Sequence, residues 1–175
     1  SAGSLPPLLE PGRICAQKGQ EDMVEAAILV FQTRPEAVVL MIGAVEDAGL
    51  HTRLSTRIAE AGAADRIRFC GHMPDIAPAY AALDILAAPS RWEGFGLMLV
   101  EAMAAGLPIV ATEAGAIAEV TGGSAHLVPV ANPTALADAL CRFDPAARRQ
   151  AAEAGRIRAR AFDWRAAAAQ LSALY

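Results

Sequence analysis

With 175 residues, 54% of them hydrophobic, the chain can bury one sizeable core and reads as a single domain. It holds no apolar run of about eighteen residues, so no membrane-spanning helix is expected. The net charge of −4 is unevenly divided: residues 1–141 carry 8 basic and 16 acidic side chains, residues 142–175 carry 7 and 3, and the acidic main body argues against nucleic-acid binding.

Ser1–Glu10 lacks the basic start and apolar centre of a secretory leader, and the chain does not begin with Met, which reads as a piece of something longer. Three widely spaced cysteines (Cys15, Cys70 and Cys141) form neither a disulfide framework nor a zinc pattern. A cytoplasmic origin is the expectation. Lys18 is the sole lysine beside fourteen arginines. A lysine in a glycine-flanked turn of such a chain invites a specific role, with a solvated turn residue as the plainer reading.

Residues 1–11 are rich in turn formers and are expected as a poorly ordered lead-in. A short strand should emerge around Leu8–Ile14, weakened by Pro11. A loop through Cys15–Gly19 enters a helix over Gln20–Gln32, whose apolar face is Met23, Ala26, Ala27 and Val30. Glu21 and Asp22 suit its first turn. Ala37–Gly43 is a continuous apolar run, as expected for a strand covered on both faces. Helix Leu50–Ala61, strand Arg66–Cys70, helix Ile76–Leu83 and strand Asp84–Ala88 follow. After the next turn and helix come strand Leu107–Thr112, a helical piece at Ile117–Val120, strand His126–Val130 and a helix from Pro133 to Phe143. Asp144–Tyr175 reads as two helical segments broken near Phe162-Asp163. Arg149, Glu153, Arg156 and Arg160 share a helical face there, read first as solvated and otherwise as a contact with an anionic membrane or another domain.

Strands and helices alternate throughout. The expectation is α/β, a doubly wound parallel sheet, Rossmann-like, with its domain over residues 12–161. Ligands bind such sheets beyond the carboxyl ends of the strands. Arg13 and Lys18 follow the first strand, Gly71-His72 the third, and Arg91–Gly96 the fourth, so these separated pieces should meet at one edge.

The centre of that edge is Pro89–Gly106, PSRWEGFGLMLVEAMAAG. A glycine-broken turn feeds an almost wholly apolar helical run, Leu97–Ala105. With no polar stripe, the run is expected to be packed on most sides. Glu101 is its single charge and must find hydrogen-bond donors. Glu93 stands at the helix mouth, roughly 7 Å down the axis at about 1.5 Å per residue. Free N–H groups there suit a phosphate or another oxygen-rich ligand.

The spaced pair Glu93 and Glu101 in EGFG…EAMAAGLPIVAT, with Gly12-Arg13 and Lys18-Gly19 upstream, resembles the C-terminal domain of retaining GT-B glycosyltransferases, above all glycosyltransferase family 4. The likeness covers nearly the whole chain. It implies one half of a GT-B fold that binds a nucleotide diphosphate sugar and transfers a hexosyl unit to an acceptor, lipid-linked or polysaccharide. It also implies a separate N-terminal acceptor-binding domain, onto which the C-terminal helix (residues 162–175) docks. The full-length protein would then be peripheral at the inner face of the membrane. No Asp-x-Asp metal site is apparent, and relatives usually work without one, so no metal and no cofactor are expected.

The resemblance assigns Arg13 and Lys18 to the leaving diphosphate and Glu93 to the donor sugar, these three being the expected catalytic residues. It gives Glu101 the ribose hydroxyls, which a carboxylate can hold in bidentate fashion. Gly94, Phe95 and Gly96 would offer backbone N–H groups to sugar or phosphate, with Leu97 beside them. Gly71, His72 and Ile76 would line the base. Plainer readings stand beside these: a surface salt bridge for Arg13, a helix-cap partner for Glu93, a carboxylate satisfied locally for Glu101, a core ring for Phe95 and a loop residue for His72. The sequence departs from the family in the strand before Gly12, usually more apolar, after Gly43, where a further glycine or proline is usual, and at Glu113–Ala116 and Glu119, where relatives are richer in glycine. Other readings are a nucleotide-sugar epimerase or phosphorylase of related fold, and a non-catalytic nucleotide-binding or interaction module.

Overall fold

A computed structural model describes residues 7–163. Six strands form one sheet: β1 (Leu8–Pro11), β2 (Val39–Ile42), β3 (Ile67–Gly71), β4 (Ile85–Ala88), β5 (Ile109–Thr112) and β6 (Ala125–Val128). Their order is β3-β2-β1-β4-β5-β6, and every pairing is parallel. Helices α1 (Gln20–Thr33), α2 (Ala48–Glu60), α3 (Ala77–Ala82), α4 (Leu97–Ala105), α5 (Ile117–Thr121), α6 (Pro133–Arg142) and α7 (Pro145–Ala159) alternate with the strands or follow the last. This is the expected doubly wound, Rossmann-like sheet.

The strand side chains alternate between two cores, as the two-residue period of a strand requires. Leu8, Met41, Ile85, Ala87 and Val110 point to the side covered by α1, α2 and α6. Leu9, Ile42, Leu86, Ala88, Ile109 and Ala111 point to the side covered by α3, α4 and α5. Burial on both faces explains why β2 and β4 read as unbroken apolar runs.

Local signals set several helix starts. The Asp47 carboxylate accepts from Leu50 N–H at 2.8 Å and caps α2. Asn132 accepts from Ala135 N–H at 2.9 Å ahead of Pro133, the first residue of α6. Asp144 accepts from the N–H groups of Ala146 and Ala147, and these bonds hold its carboxyl below the usual range.

Three expectations change. The lead-in does not reach residue 11, because Leu8–Pro11 is β1, inside the sheet; residues 1–6 lie outside the described residues. β1 itself stops at Pro11; beyond it the chain stays beside the end of β2 through Gly12 N–H to the Ile42 carbonyl and an isolated bridge between Ile14 and Val45. Helix α4 is not packed on most sides. Leu99, Ala102 and Met103 are buried, whereas Leu97 is 63% exposed and Glu101, Ala104 and Ala105 are exposed too. An apolar sequence tells that a face is not meant for bulk water alone; it does not tell whether that face meets core or cavity.

The chain turns at Arg160–Phe162 after α7, near the expected break. Arg149, Glu153, Arg156 and Arg160 are all exposed. Arg158 faces inward instead, donating from Nε to the Val120 carbonyl at 2.9 Å and from Nη2 to that of Glu119 at 2.7 Å, at the C-terminal end of α5. The helix expected over residues 162–175 lies outside the described residues beyond Asp163.

Candidate functional site

The sheet order reverses direction between β1 and β4, the crevice where ligands bind in such folds. A cavity of about 550 Å³ opens there. The β1–α1 loop contributes Gly12, Arg13 and Lys18; the end of β2 contributes Ile42, Gly43 and Ala44. His72, Met73, Ile76 and Tyr80 come from the β3–α3 side, and Glu93, Gly96, Leu97, Met98 and Glu101 from the β4–α4 turn and helix.

Of the expected residues, Arg13, Lys18, His72, Ile76, Glu93, Gly96, Leu97 and Glu101 therefore meet in one place. Gly71, Gly94 and Phe95 do not line the cavity. Gly71 ends β3 and hands on to His72. Phe95 is neither core nor cavity wall: it is 43% exposed and stacks edge-on against Phe162, with ring centroids 5.7 Å apart.

The loops are interlocked. Arg91 N–H donates to the Gln17 carbonyl at 2.8 Å, and the Gln17 amide donates to the Trp92 carbonyl at 3.0 Å. Arg91 also reaches Asp22 at 3.2 Å. Burial raises the pKa of the Asp22 carboxyl, opposed by the Arg91 charge. At Gly43 the β2 end runs so close to the β1 end that a Cβ would lie 1.9 Å from the Gly12 carbonyl oxygen. Only glycine permits that approach.

Lys18 Nζ donates to Glu93 Oε2 at 2.5 Å. Ser90 Oγ approaches the same oxygen at 3.5 Å. Both partners of the ion pair are nearly withdrawn from water, at 12% and 10% side-chain exposure. Lys18 is thus no solvated turn residue. Arg13 is exposed and pairs with Glu46, the surface salt bridge that was its plainer reading.

Glu101 is exposed rather than buried, and the donor that satisfies it is the hydroxyl of Tyr80, 3.0 Å from Oε2. Burial and the Glu101 charge both raise the pKa of that phenol, so it stays protonated and donating. Tyr80 was not foreseen as a site residue. Its four-residue spacing from Ile76 was the available signal. At the head of α4, Gly96 takes a left-handed conformation with φ 77° and its carbonyl accepts from Leu99 N–H. The other N–H groups of the first turn have no partner within the helix.

Two more residues escaped the sequence reading. Gln20, 1% exposed, ties the β1–α1 loop together: its Nε2 donates to the Arg13 carbonyl at 3.0 Å and to Glu10 Oε1 at 3.3 Å. Glu10 is buried in β1 beneath that loop. Among the described residues, no group of three or more His, Cys, Asp or Glu is disposed to hold a metal ion, and no helix is long and apolar enough to cross a membrane.

Comparison with known proteins agrees with this architecture. Residues 6–143 match the family described as glycosyl transferases group 1. The chain is 41% identical over 138 residues to the lipopolysaccharide core biosynthesis mannosyltransferase LpsB of Rhizobium meliloti, covering 75% of this chain and 39% of that protein. It is 35% identical to the D-inositol 3-phosphate glycosyltransferase of Corynebacterium glutamicum, over 94% of this chain and 41% of the relative. The chain thus spans about two fifths of the curated relatives it matches. Among solved structures, Anabaena Alr3699/HepE in complex with UDP and glucose superposes with a TM-score of 0.86 at 26% identity, covering 95% of this chain and 48% of that one. The C-terminal domain of the group 1 protein LpcC from Francisella tularensis superposes with a TM-score of 0.81 at 31% identity, covering 89% of this chain and 85% of that one. The match over most of its length, on the same doubly wound sheet, means that this chain belongs to the glycosyl transferases group 1 family.

Proposed function

We propose that this chain is the donor-binding half of a retaining GT-B glycosyltransferase of the family 4 type. It takes a nucleotide diphosphate sugar and, with an N-terminal acceptor-binding domain, passes a hexosyl unit to a lipid-linked or polysaccharide acceptor. The observation that carries this reading is the convergence of Arg13, Lys18, Glu93 and Glu101 on one cavity at the switch point. The neighbour crystallised with UDP and glucose lends it support.

In this reading the diphosphate lies across the head of α4, between free N–H groups and two cations. Arg13 exchanges Glu46 for a phosphate oxygen, and Lys18 turns from Glu93 to another. Charge-assisted bonds of about 1.5–3 kcal/mol each are suited to charge that grows as the bond breaks. Glu101 holds the two ribose hydroxyls while Tyr80 fixes its second oxygen. His72 and Ile76 border the base. Glu93 holds a hydroxyl of the donor sugar and is no nucleophile.

Transfer breaks the bond from the anomeric carbon to the diphosphate oxygen, and the electron pair leaves with the nucleoside diphosphate. The acceptor hydroxyl attacks from the same face and gives its proton to a departing phosphate oxygen. Configuration is retained. Arg13 and Lys18 carry the negative charge that accumulates on the leaving group.

Calorimetry of UDP-, GDP- and ADP-sugars against the full-length protein, followed by acceptor profiling, tests the reading. One donor class should bind, Glu101→Ala should weaken it about tenfold or more, and transfer should need an acceptor. The 175-residue chain alone should bind donor weakly and transfer nothing. Turnover by that chain alone would sink the division of labour. Donor isomerisation or phosphorolysis without transfer would favour an epimerase or phosphorylase.

A further inference from the structure

Glu10 has no part in the transfer scheme, yet it sits directly beneath the site. It lies in β1 at 1% exposure, two residues after Leu8 and so on the sheet face covered by α1, α2 and α6. Its Oε1 accepts from Gln20 Nε2, while Oε2 is buried with no hydrogen-bond partner. Burial pushes its pKa up to about 8, against the opposing pull of the Lys18 ammonium and the Gln20 amide.

Lys18 links this carboxyl to the cavity. Its stem crosses Gly12, two residues beyond Glu10, where an added Cβ would stand 3.2 Å from Lys18 Cγ and Cδ. The ammonium then reaches Glu93. The ammonium is paired with Glu93 in the cavity, and its charge also acts on the buried Glu10 carboxyl. Beside Glu10 in the sheet stands Met41 of β2, and Gln20 of α1 reaches its carboxyl from the covering helix, both neutral. The Lys18 charge favours the ionised form of Glu10.

We propose that Glu10 is a positioning residue for Lys18: neutral, it lets the ammonium leave Glu93 for the donor diphosphate, and ionised, it holds the ammonium back. The inference rests on the donor-site reading above. A diphosphate brings negative charge over Glu10 and takes its compensating cation away, so binding favours the protonated carboxyl. Affinity therefore falls as pH rises through its titration. A coupling of one pKa unit corresponds to about tenfold in affinity.

The test is calorimetry of UDP, GDP and ADP on the full-length protein at about pH 7 and about pH 9, with Glu10→Gln beside the wild type. The wild type should lose about fivefold in affinity across this range, the part of a one-unit coupling that falls between these pH values, whereas the variant, neutral throughout, should change by about twofold or less. A carbon-13 carboxyl titration of Glu10 gives a readout that needs no ligand. Lys18→Met should raise its midpoint by about half a unit or more, because the cation that favours the ionised form is gone. Parallel pH profiles of wild type and Glu10→Gln overturn the proposal, as does a midpoint that Lys18→Met leaves in place. If none of UDP, GDP and ADP binds the wild type, the donor-site reading falls, and the carboxyl titration still decides whether Glu10 and Lys18 are coupled.

Discussion

Lys18 Nζ and Glu93 Oε2 stand 2.5 Å apart although 75 positions separate them along the chain. The pair joins the loop after β1 to the turn after β4 and closes the floor of the cavity. Removing one partner strands the other in a site nearly closed to water. Lys18→Met should therefore cost about 3–5 kcal/mol of stability, as breaking a buried pair does. Lys18→Met with Glu93→Gln should recover much of this, because no lone charge remains. Transfer should stay depressed by about a hundredfold or more in both, since the diphosphate has lost its cation. Denaturant midpoints and initial rates on the same preparations separate the two effects.

Tyr80 and Glu101 give the second prediction. Tyr80→Phe removes only the hydroxyl that orients Glu101. The ring remains in the core, at 5% exposure. Nucleotide affinity should fall about three- to tenfold, the size of one hydrogen bond to a charged group held less well. The affinity should fall alike for nucleoside diphosphate and for the intact donor, because the contact is to ribose. A loss confined to the sugar-bearing donor would place Glu101 against the hexose instead.

Gly19 gives the third. It has φ +71°, and a Cβ there would lie 2.1 Å from the Pro89 carbonyl oxygen. Gly62 shares the conformation, with φ +62°, but has nothing within 4 Å of a Cβ. Gly62→Ala should cost about 1–2 kcal/mol, the strain of a left-handed residue alone. Gly19→Ala should cost clearly more, because the Pro89 backbone must move too, and that movement displaces the turn carrying Glu93. Chemical denaturation of the two variants side by side reads the difference.

Much of this arrangement was legible in the residues. Ala37–Gly43 announced β2 by being apolar on both faces, and alternation of such runs with helices implied parallel strands. A parallel sheet puts every strand-to-helix loop at one edge, so the sequence alone brings Lys18 and Glu93 to the same rim. What escaped depends on direction rather than position. The apolar run of α4 reads as buried in the sequence, yet Leu97 and Met98 border the cavity. Phe95 sits in the key turn but its ring turns to Phe162, which spacing along the chain does not encode. Tyr80 meets Glu101 from another helix, and Glu10 showed only as a charge in an otherwise apolar strand.

Glu10 supplies the last prediction, which concerns the stability of the fold and not its ligand. Its pKa in the folded chain is about 8, raised from 4.5 chiefly by burial. Between these values the folded state holds a proton that the unfolded state has released. Stability contributed by the neutral carboxyl is therefore complete below about pH 4.5 and is lost as pH rises toward 8. Asp22, also raised by burial, tilts the curve the same way. The comparison that isolates Glu10 is wild type against Glu10→Gln, since Asp22 is common to both. The variant keeps an amide that can face Gln20 and never ionises. It should gain relative stability as pH rises from about 5 to about 8, by an amount on the order of a few kcal/mol. Urea unfolding at several pH values reads this directly. Parallel wild-type and variant curves would mean that Glu10 is solvated or paired in the folded chain, and its buried, unpartnered oxygen would have to be abandoned.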